Sequence, residues 1–385
     1  MSEPFPQRRE GRSHWLGLMS GTSCDGIDVA RVAIEESAEQ PKVVSVEGCT
    51  VPFERAFAHE LRDRLSGTGS FAEAARADAR LGDRFAEAAL HALATWGPVD
   101  GIALSGHTYS HLPAEVPPTT LQLGSAFRVA ERTGTPVLSA FRLADVARGG
   151  EGAPLVPAGD RVLFGSLAPR VAVINIGGIS NVTWLEQGRD PSACDAGPGN
   201  LLLDKICRAA DPEGPGFDVD GARAVEGAVD EAWVEAHRVT LSARRTFGRE
   251  EFGEEWWVTE RCALERLDLA DQLATVCGWI AAELAATIDR LGERTPPDRL
   301  LVGGGGARNR RLILELTARV GLPAEPLTAT THGVDLDLRE AASFAILCHE
   351  WVYGRPSSFP TTTGARALPH LGAWSIPGAP SPSLI

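Results

Sequence analysis

Twice along this chain an apolar strand pattern runs into a turn of small polar residues and then reverses. The first case is the twelve-residue run Gly17-Leu18-Met19-Ser20-Gly21-Thr22-Ser23-Cys24-Asp25-Gly26-Ile27-Asp28. The second is Asn175-Ile176-Gly177-Gly178-Ile179-Ser180-Asn181-Val182-Thr183. A hairpin of this kind commits its flanks to antiparallel pairing, and glycine at its turn lets backbone N–H groups approach a polyanion. Strands are expected at Trp15–Met19, Gly26–Ile34 and Lys42–Val51, with a helix from Phe71 to Trp96 and short strands at Gly101–Leu104 and Pro136–Ser139. After the Gly/Pro-rich stretch Gly149–Pro154 the pattern restarts. Val171–Ile176 and Val182–Leu185 read as strands, Leu201–Ala210 and Asp268–Leu291 as helices, Leu300–Val302 as a strand, and Asn309–Val320 and Arg339–Val352 as helices. The Pro/Ser/Thr-rich end beyond Gly354 is expected to be irregular. Alternating strands and helices argue an α/β fold, and no short fixed period suggests a solenoid.

Charge narrows the partners. The chain has 385 residues, 37 basic and 51 acidic, for a net charge of −14. That balance argues against an electrostatic nucleic-acid binder. No run approaches the ~18 apolar residues of a membrane span, and Met1–Arg12 lacks an apolar signal core. The seven cysteines are scattered and never CxxC, which fits reduced thiols. The expectation is a cytoplasmic protein that meets a small molecule, with no nucleic-acid or membrane partner. Lys42 and Lys205 are the only lysines, which disfavours Schiff-base catalysis and a GK[ST] phosphate loop.

Four motifs could carry chemistry. In the first turn, Gly21, Thr22, Ser23, Cys24, Gly26 and Ile27 would wrap phosphates, and Asp25 and Asp28 offer hard oxygens to Mg²⁺. In the second, Gly177, Gly178, Asn181 and Thr183 could reach a phosphate or its metal, although a plain hairpin has the same composition. Asp195-Ala196-Gly197-Pro198-Gly199-Asn200 sets a carboxylate before a Gly-Pro-Gly turn and a helix start. That suits a general base, and the helix N-terminus would favour phosphate, while a simple cap is the alternative. Leu300–Asn309 runs a strand through Gly303, Gly304, Gly305 and Gly306 toward Asn309. A flat purine meets no side chains there, and Asn309 could donate to a ribose or phosphate. His107 and His111 flank Thr108-Tyr109-Ser110 in an expected loop, where substrate hydrogen bonding or a plain structural role fits better than zinc.

Two hairpin phosphate loops and a late glycine turn resemble the actin-like ATPase and sugar-kinase superfamily. The resemblance sharpens to the anhydro-N-acetylmuramic acid kinase family through Gly17–Asp28, Gly149-Gly-Glu-Gly-Ala-Pro-Leu-Val-Pro157, Asn175–Asn181, Asp195–Asn200, Gly248-Arg249-Glu250, Gly303–Asn309 and Glu340-Ala341. It implies two ribonuclease-H-like domains, here 14–150 and 151–370, with ATP in the cleft between them and irregular tails at 1–13 and 371–385. It also implies ATP and Mg²⁺ as cofactors and a homodimer as an option. The first loop would bind ATP phosphates, with Asp25 toward the metal. Asp195 would act as general base on water, and His107, Thr108, Arg142 and Glu340 would face the sugar. The activity implied is hydrolytic opening of a 1,6-anhydro ring with phosphorylation of O6.

The departures from the family fall on the sugar side. Where the family carries His-Gly-Gln-Thr-x-x-His-x-Pro, this chain has Ser105-Gly106-His107-Thr108-Tyr109-Ser110-His111-Leu112-Pro113. Ala140 and Glu151 stand where Asp and Gln are usual. A relative acting on another anhydro-sugar, such as a levoglucosan kinase, and an ATP-binding sensor without turnover are the alternatives.

Overall fold

The computed structural model describes the chain except residues 1–4, 9, 22–23, 38–39, 66–69, 239–251, 253–256, 258–260, 336, 367–369 and 379–385. It divides into two compact units, Met1–Leu163 with Gly333–Ile385, and Phe164–His332. Each is an α/β unit built on a mixed sheet.

In the first unit, β1 (Arg12–Ser20), β2 (Gly26–Glu35) and β3 (Lys42–Pro52) form an antiparallel meander. Helices α1 (Arg55–Leu65) and α2 (Phe71–Trp96) lead to β4 (Gly101–Leu112), which pairs parallel with β1. β5 (Thr119–Leu123) returns on β4, α3 (Ala126–Thr133) crosses over, and β6 (Val137–Ser139) pairs parallel with β4. Helices α4 (Phe141–Val146) and α5 (Val156–Phe164) follow. The helical spacing of α2 buries Leu81, Phe85 and Ala89 against Leu16, Leu18 and Ile102 of the sheet. A capping box starts this helix, with the Ser70 amide donating to Glu73 Oε2 at 2.8 Å.

The second unit repeats the plan. β7 (Arg170–Ile176), β8 (Ile179–Glu186) and β9 (Ser192–Pro198) form the meander, followed by α6 (Asn200–Ala210) and the long α7 (Leu269–Leu291). β10 (Arg299–Gly303) pairs parallel with β7, α8 (Arg310–Val320) crosses over, and β11 (Ala324–Pro326) pairs parallel with β10. Strand orders β3-β2-β1-β4-β6 and β9-β8-β7-β10-β11 are the same ribonuclease-H-like order. α7 is buried on most of its surface, through Leu273, Val276, Ile280, Leu284 and Ile288, which explains its near-continuous Ala/Leu pattern.

The units differ from the expected halves in three respects. The division falls at Leu163/Phe164, because α5 stays with the first unit through the buried Asp160–Arg339 ion pair. The last helix, α9 (Arg339–Tyr353), also belongs to the first unit, where it packs on β1 at Gly17. The end beyond Gly354 is not wholly irregular. Ser357, Ser358, Thr362 and Thr363 are buried, and β12 (Ala373–Ser375) adds an antiparallel edge strand to β6. Among the described residues no helix is long and apolar enough to cross a membrane.

Candidate active site

The first loop joins β1 to β2 as its composition requires. Thr22 and Ser23 lie outside the described residues, as do Gly248-Arg249-Glu250. The amide of Cys24 donates to Gly21 O at 3.1 Å, which closes the turn, and the amide of Phe53 donates to Asp25 O at 2.9 Å, which ties the loop to the end of β3. Cys24 is buried and takes φ +55°, a left-handed conformation that favours glycine. Gly26 and Ile27 are buried at the start of β2, where they lie opposite Pro52 and Val51 of β3.

Asp25 is exposed, whereas Asp28 is half-buried and accepts the Thr50 hydroxyl at 2.6 Å. Burial pushes the Asp28 carboxyl up to about 6 against the opposing Thr50 hydrogen bond, and the negative charges of Asp25, Glu340 and Asp337 push the same way. Asp28 thus feels three other carboxylates, although among the described residues no group of three or more His, Cys, Asp or Glu side chains is placed to hold a metal ion together.

β4 does not end at Leu104. It runs on to Leu112, because β5 pairs with its second half, so His107, Thr108 and His111 sit on a strand and not in a loop. His107 is fully buried, with Nδ1 3.2 Å from Ser20 Oγ and Nε2 3.9 Å from Cys24 Sγ. Burial and these two partners face its ring toward the β1–β2 turn. Thr108 is half-buried and pairs with Gln122. His111 is the histidine with an open end: Nδ1 meets Thr120 Oγ1 at 3.1 Å, while Nε2 is buried without a partner.

Arg142 lies nearby. Its Nη1 donates to Gly152 O at 3.0 Å, and its buried Nε has no partner. Burial pulls the guanidinium down from its ordinary range, opposed by the Glu340 and Asp145 charges. Buried Asp145 pins the Gly149–Pro154 loop, accepting the Gly152 amide and the Thr363 hydroxyl at 2.8 Å each. Glu340 opens α9, where the neighbouring Arg339 is locked to Asp160. Ala140 takes φ +58° ahead of α4 and provides no side-chain cap.

In the second unit, Gly177 and Gly178 form the β7–β8 turn, with the Gly177 amide donating to Ile179 O at 3.2 Å. The α6 N-terminus docks on this turn: the amides of Asn200 and Leu201 donate to Gly177 O and Gly178 O at 2.8 and 3.4 Å. Those two donors are therefore spent on protein, which removes part of the expected phosphate role of the helix start. Asp195 lies within β9, a strand that the Gly-Pro-Gly turn masks in the sequence, and register places it directly opposite Asn181 beside a bulge at Ser180/Asn181. A bulge at such a place re-aims side chains.

Gly303 pairs with Asn175, and Gly304 takes φ +76° against Ile176 O and Asn175 Oδ1, where a Cβ would stand 2.6 and 2.7 Å from them. Gly305 is exposed and carries nothing that would block a flat ring. Asn309 differs from expectation. It is buried, its Oδ1 accepts the Leu312 amide at 3.2 Å as the N-cap of α8, and its Nδ2 faces Cys277 Sγ at 3.7 Å. Both polar atoms of the side chain thus have protein partners, the arrangement of a helix cap.

A duplicated ribonuclease-H-like fold, with a glycine-bearing hairpin turn in each copy and a carboxylate beside the second, is the architecture of the actin-like ATPase and sugar-kinase class. Within that class, the family model described as anhydro-N-acetylmuramic acid kinase matches residues 13–377. An anhydro-N-acetylmuramic acid kinase of Xanthomonas oryzae is 38% identical over 374 residues, covering 93% of this chain and 96% of that protein. One of Vibrio cholerae is 34% identical over 380 residues, covering 95% and 99%. The chain belongs to the anhydro-N-acetylmuramic acid kinase family and is a kinase. Among solved structures, the activator of the 2-hydroxyisocaproyl-CoA dehydratase from Clostridium difficile with bound ADPNP is similar at a TM-score of 0.43 and 12% identity, covering 88% of this chain and 96% of that one.

Proposed function

We propose that this chain opens 1,6-anhydro-N-acetylmuramic acid with water and phosphorylates O6 from ATP, giving N-acetylmuramic acid 6-phosphate and ADP in cell-wall recycling. The observation that carries the mechanism is Asp195 placed opposite Asn181 on adjoining strands, one carboxylate beside one phosphate-loop amide. Family membership supplies the substrate. Asp195 takes the proton of the attacking water. The water oxygen bonds to C1, the C1–O6 bond breaks, and O6 takes the γ-phosphoryl group as ADP leaves.

Backbone N–H groups of the Gly21–Asp28 loop other than that of Cys24, together with the Gly178 amide, orient the phosphates, while Arg142, His111 and Glu340 bind the sugar. The unpartnered Arg142 Nε, a donor, and His111 Nε2, the acceptor of a neutral ring whose Nδ1 donates to Thr120 Oγ1, favour this assignment, since buried polar atoms left open in the free protein call for a polar ligand. Asp25 and Asp28 would hold Mg²⁺, an ion that takes one or two carboxylates with phosphate and water oxygens. When bound, it neutralises charge on the transferring group. A cytoplasmic homodimer is part of the same proposal. The changed Ser105–Pro113 stretch and Ala140 keep one second reading, a different anhydro-sugar.

The test is the product. ³¹P and ¹H NMR of a reaction with 1,6-anhydro-N-acetylmuramic acid should show a C6 phosphate monoester and a free reducing C1, formed one-to-one with ADP. Inorganic phosphate alone, or a monoester on an intact anhydro ring, would contradict the mechanism.

A further inference from the structure

Beneath the first loop lies a contact that the proposed chemistry does not use. β4 runs parallel to β1 until a bulge at Leu18/Met19, beyond which Gly106 faces Met19 and His107 faces Ser20. Gly106 takes φ +74° there, a conformation available to glycine at little strain. A one-residue slip sends the next side chain to the opposite face of a strand. Here it sends the imidazole of His107 inward, where it is 0% exposed.

The two residues it meets bracket the turn. Ser20 ends β1, and Cys24 closes the turn back to Gly21 O at 3.1 Å while holding φ +55°. A cysteine in the left-handed region is strained and persists only where its surroundings fix it. Nδ1 lies 3.2 Å from Ser20 Oγ, and Nε2 lies 3.9 Å from Cys24 Sγ. A neutral imidazole has one donor and one acceptor nitrogen, so it can link a hydroxyl to a thiol without carrying charge. Burial pushes the His107 pKa down to about 4, which keeps the ring neutral at physiological pH.

We infer that His107 is a positioning residue for the nucleotide loop: by joining Ser20 to Cys24 it holds the strained Cys24 backbone, and with it Gly21 and Asp25–Asp28, in the shape that receives the phosphates. The inference rests on the reading of Gly21–Asp28 as the ATP loop. It assigns His107 to nucleotide affinity and leaves the sugar to His111 and Arg142.

The test compares His107→Ala with His107→Gln in the full-length chain. Calorimetric titration with Mg-ATP should show ATP affinity reduced at least about tenfold in His107→Ala. His107→Gln, whose amide also offers one donor group and one acceptor, should recover to within about threefold of the parent. In steady state the KM for ATP should rise in His107→Ala while the KM for the anhydro-sugar stays within about twofold. A raised sugar KM, or unchanged ATP affinity in a folded His107→Ala, overturns the inference. If circular dichroism shows His107→Ala unfolded, Ser20→Ala, which removes one buried oxygen, is read against the same expectations. Failure of the parent chain to bind ATP would refute the ATP-loop reading itself. A parent that binds ATP beside unaffected variants would refute only the brace.

Discussion

Replacing Asp28 with asparagine should stabilise the chain near neutral pH while weakening ATP binding. The ordinary carboxyl value is 3.8, and burial lifts Asp28 to about 6, with the Thr50 hydrogen bond opposing and the charges of Asp25, Glu340 and Asp337 adding. Between those values the folded state holds the proton more tightly than the unfolded chain does. Stability is therefore highest below the unfolded pKa and is lost as pH rises through the folded pKa. A displacement of roughly 2 units corresponds to about 3 kcal/mol at full conversion. Asp28 is only partly shielded from water, so screening brings the expected effect to about 1–2 kcal/mol. Asparagine keeps the shape and an oxygen to accept the Thr50 hydroxyl, now 2.6 Å from Asp28. Urea unfolding followed by tryptophan fluorescence, at pH 4 and pH 7.5, measures the difference. The variant should gain about 1–2 kcal/mol over the parent at pH 7.5 and under about 0.5 kcal/mol at pH 4. A gap that is equal at both pH values, or a more stable parent at pH 7.5, would refute the reasoning. The carboxylate would then not be a charge kept for function at the expense of stability.

Two further substitutions separate structural from functional roles. Gly17→Ala would drive a Cβ into the Ala341 carbonyl, standing 2.8 Å from its carbon, so β1 and α9 must part; a loss of about 2 kcal/mol or more in urea unfolding is expected, with Glu340 displaced and turnover reduced. Asn309→Ala should cost about 1 kcal/mol through the lost α8 cap and leave the KM for ATP within about twofold; a tenfold rise in that KM would restore Asn309 to the nucleotide.

The fold was legible wherever local pattern and tertiary demand agree. The hairpins at Gly17–Asp28 and Asn175–Thr183 formed as their turn residues require, and α2 and α7 followed their apolar spacing. What stayed hidden depends on distant partners. β4 continues past Leu104 only because β5 pairs with it, and β9 is strand only because β8 lies beside it. The return of α9 to the first unit rests on a bare Gly17 and the Arg339–Asp160 pair, which no local pattern announces. Of the two histidines four residues apart, the resemblance gives the sugar to His107, yet the Leu18/Met19 bulge and the β4–β5 pairing bury that one and leave an open nitrogen on His111. Asn309 shows a related ambiguity, since the residue type that reaches a ribose is also a good helix cap, and here it caps α8.

The most direct test of the account is coupled ADP release by the purified chain with Mg-ATP and 1,6-anhydro-N-acetylmuramic acid, beside levoglucosan and N-acetylmuramic acid, with Asp195→Asn as the paired variant. The account predicts turnover on the anhydro-muramate, little on the other two sugars, and a loss of at least about a hundredfold in the variant with ATP affinity retained. Turnover on levoglucosan with none on the anhydro-muramate, or an Asp195→Asn variant as active as the parent, would contradict it.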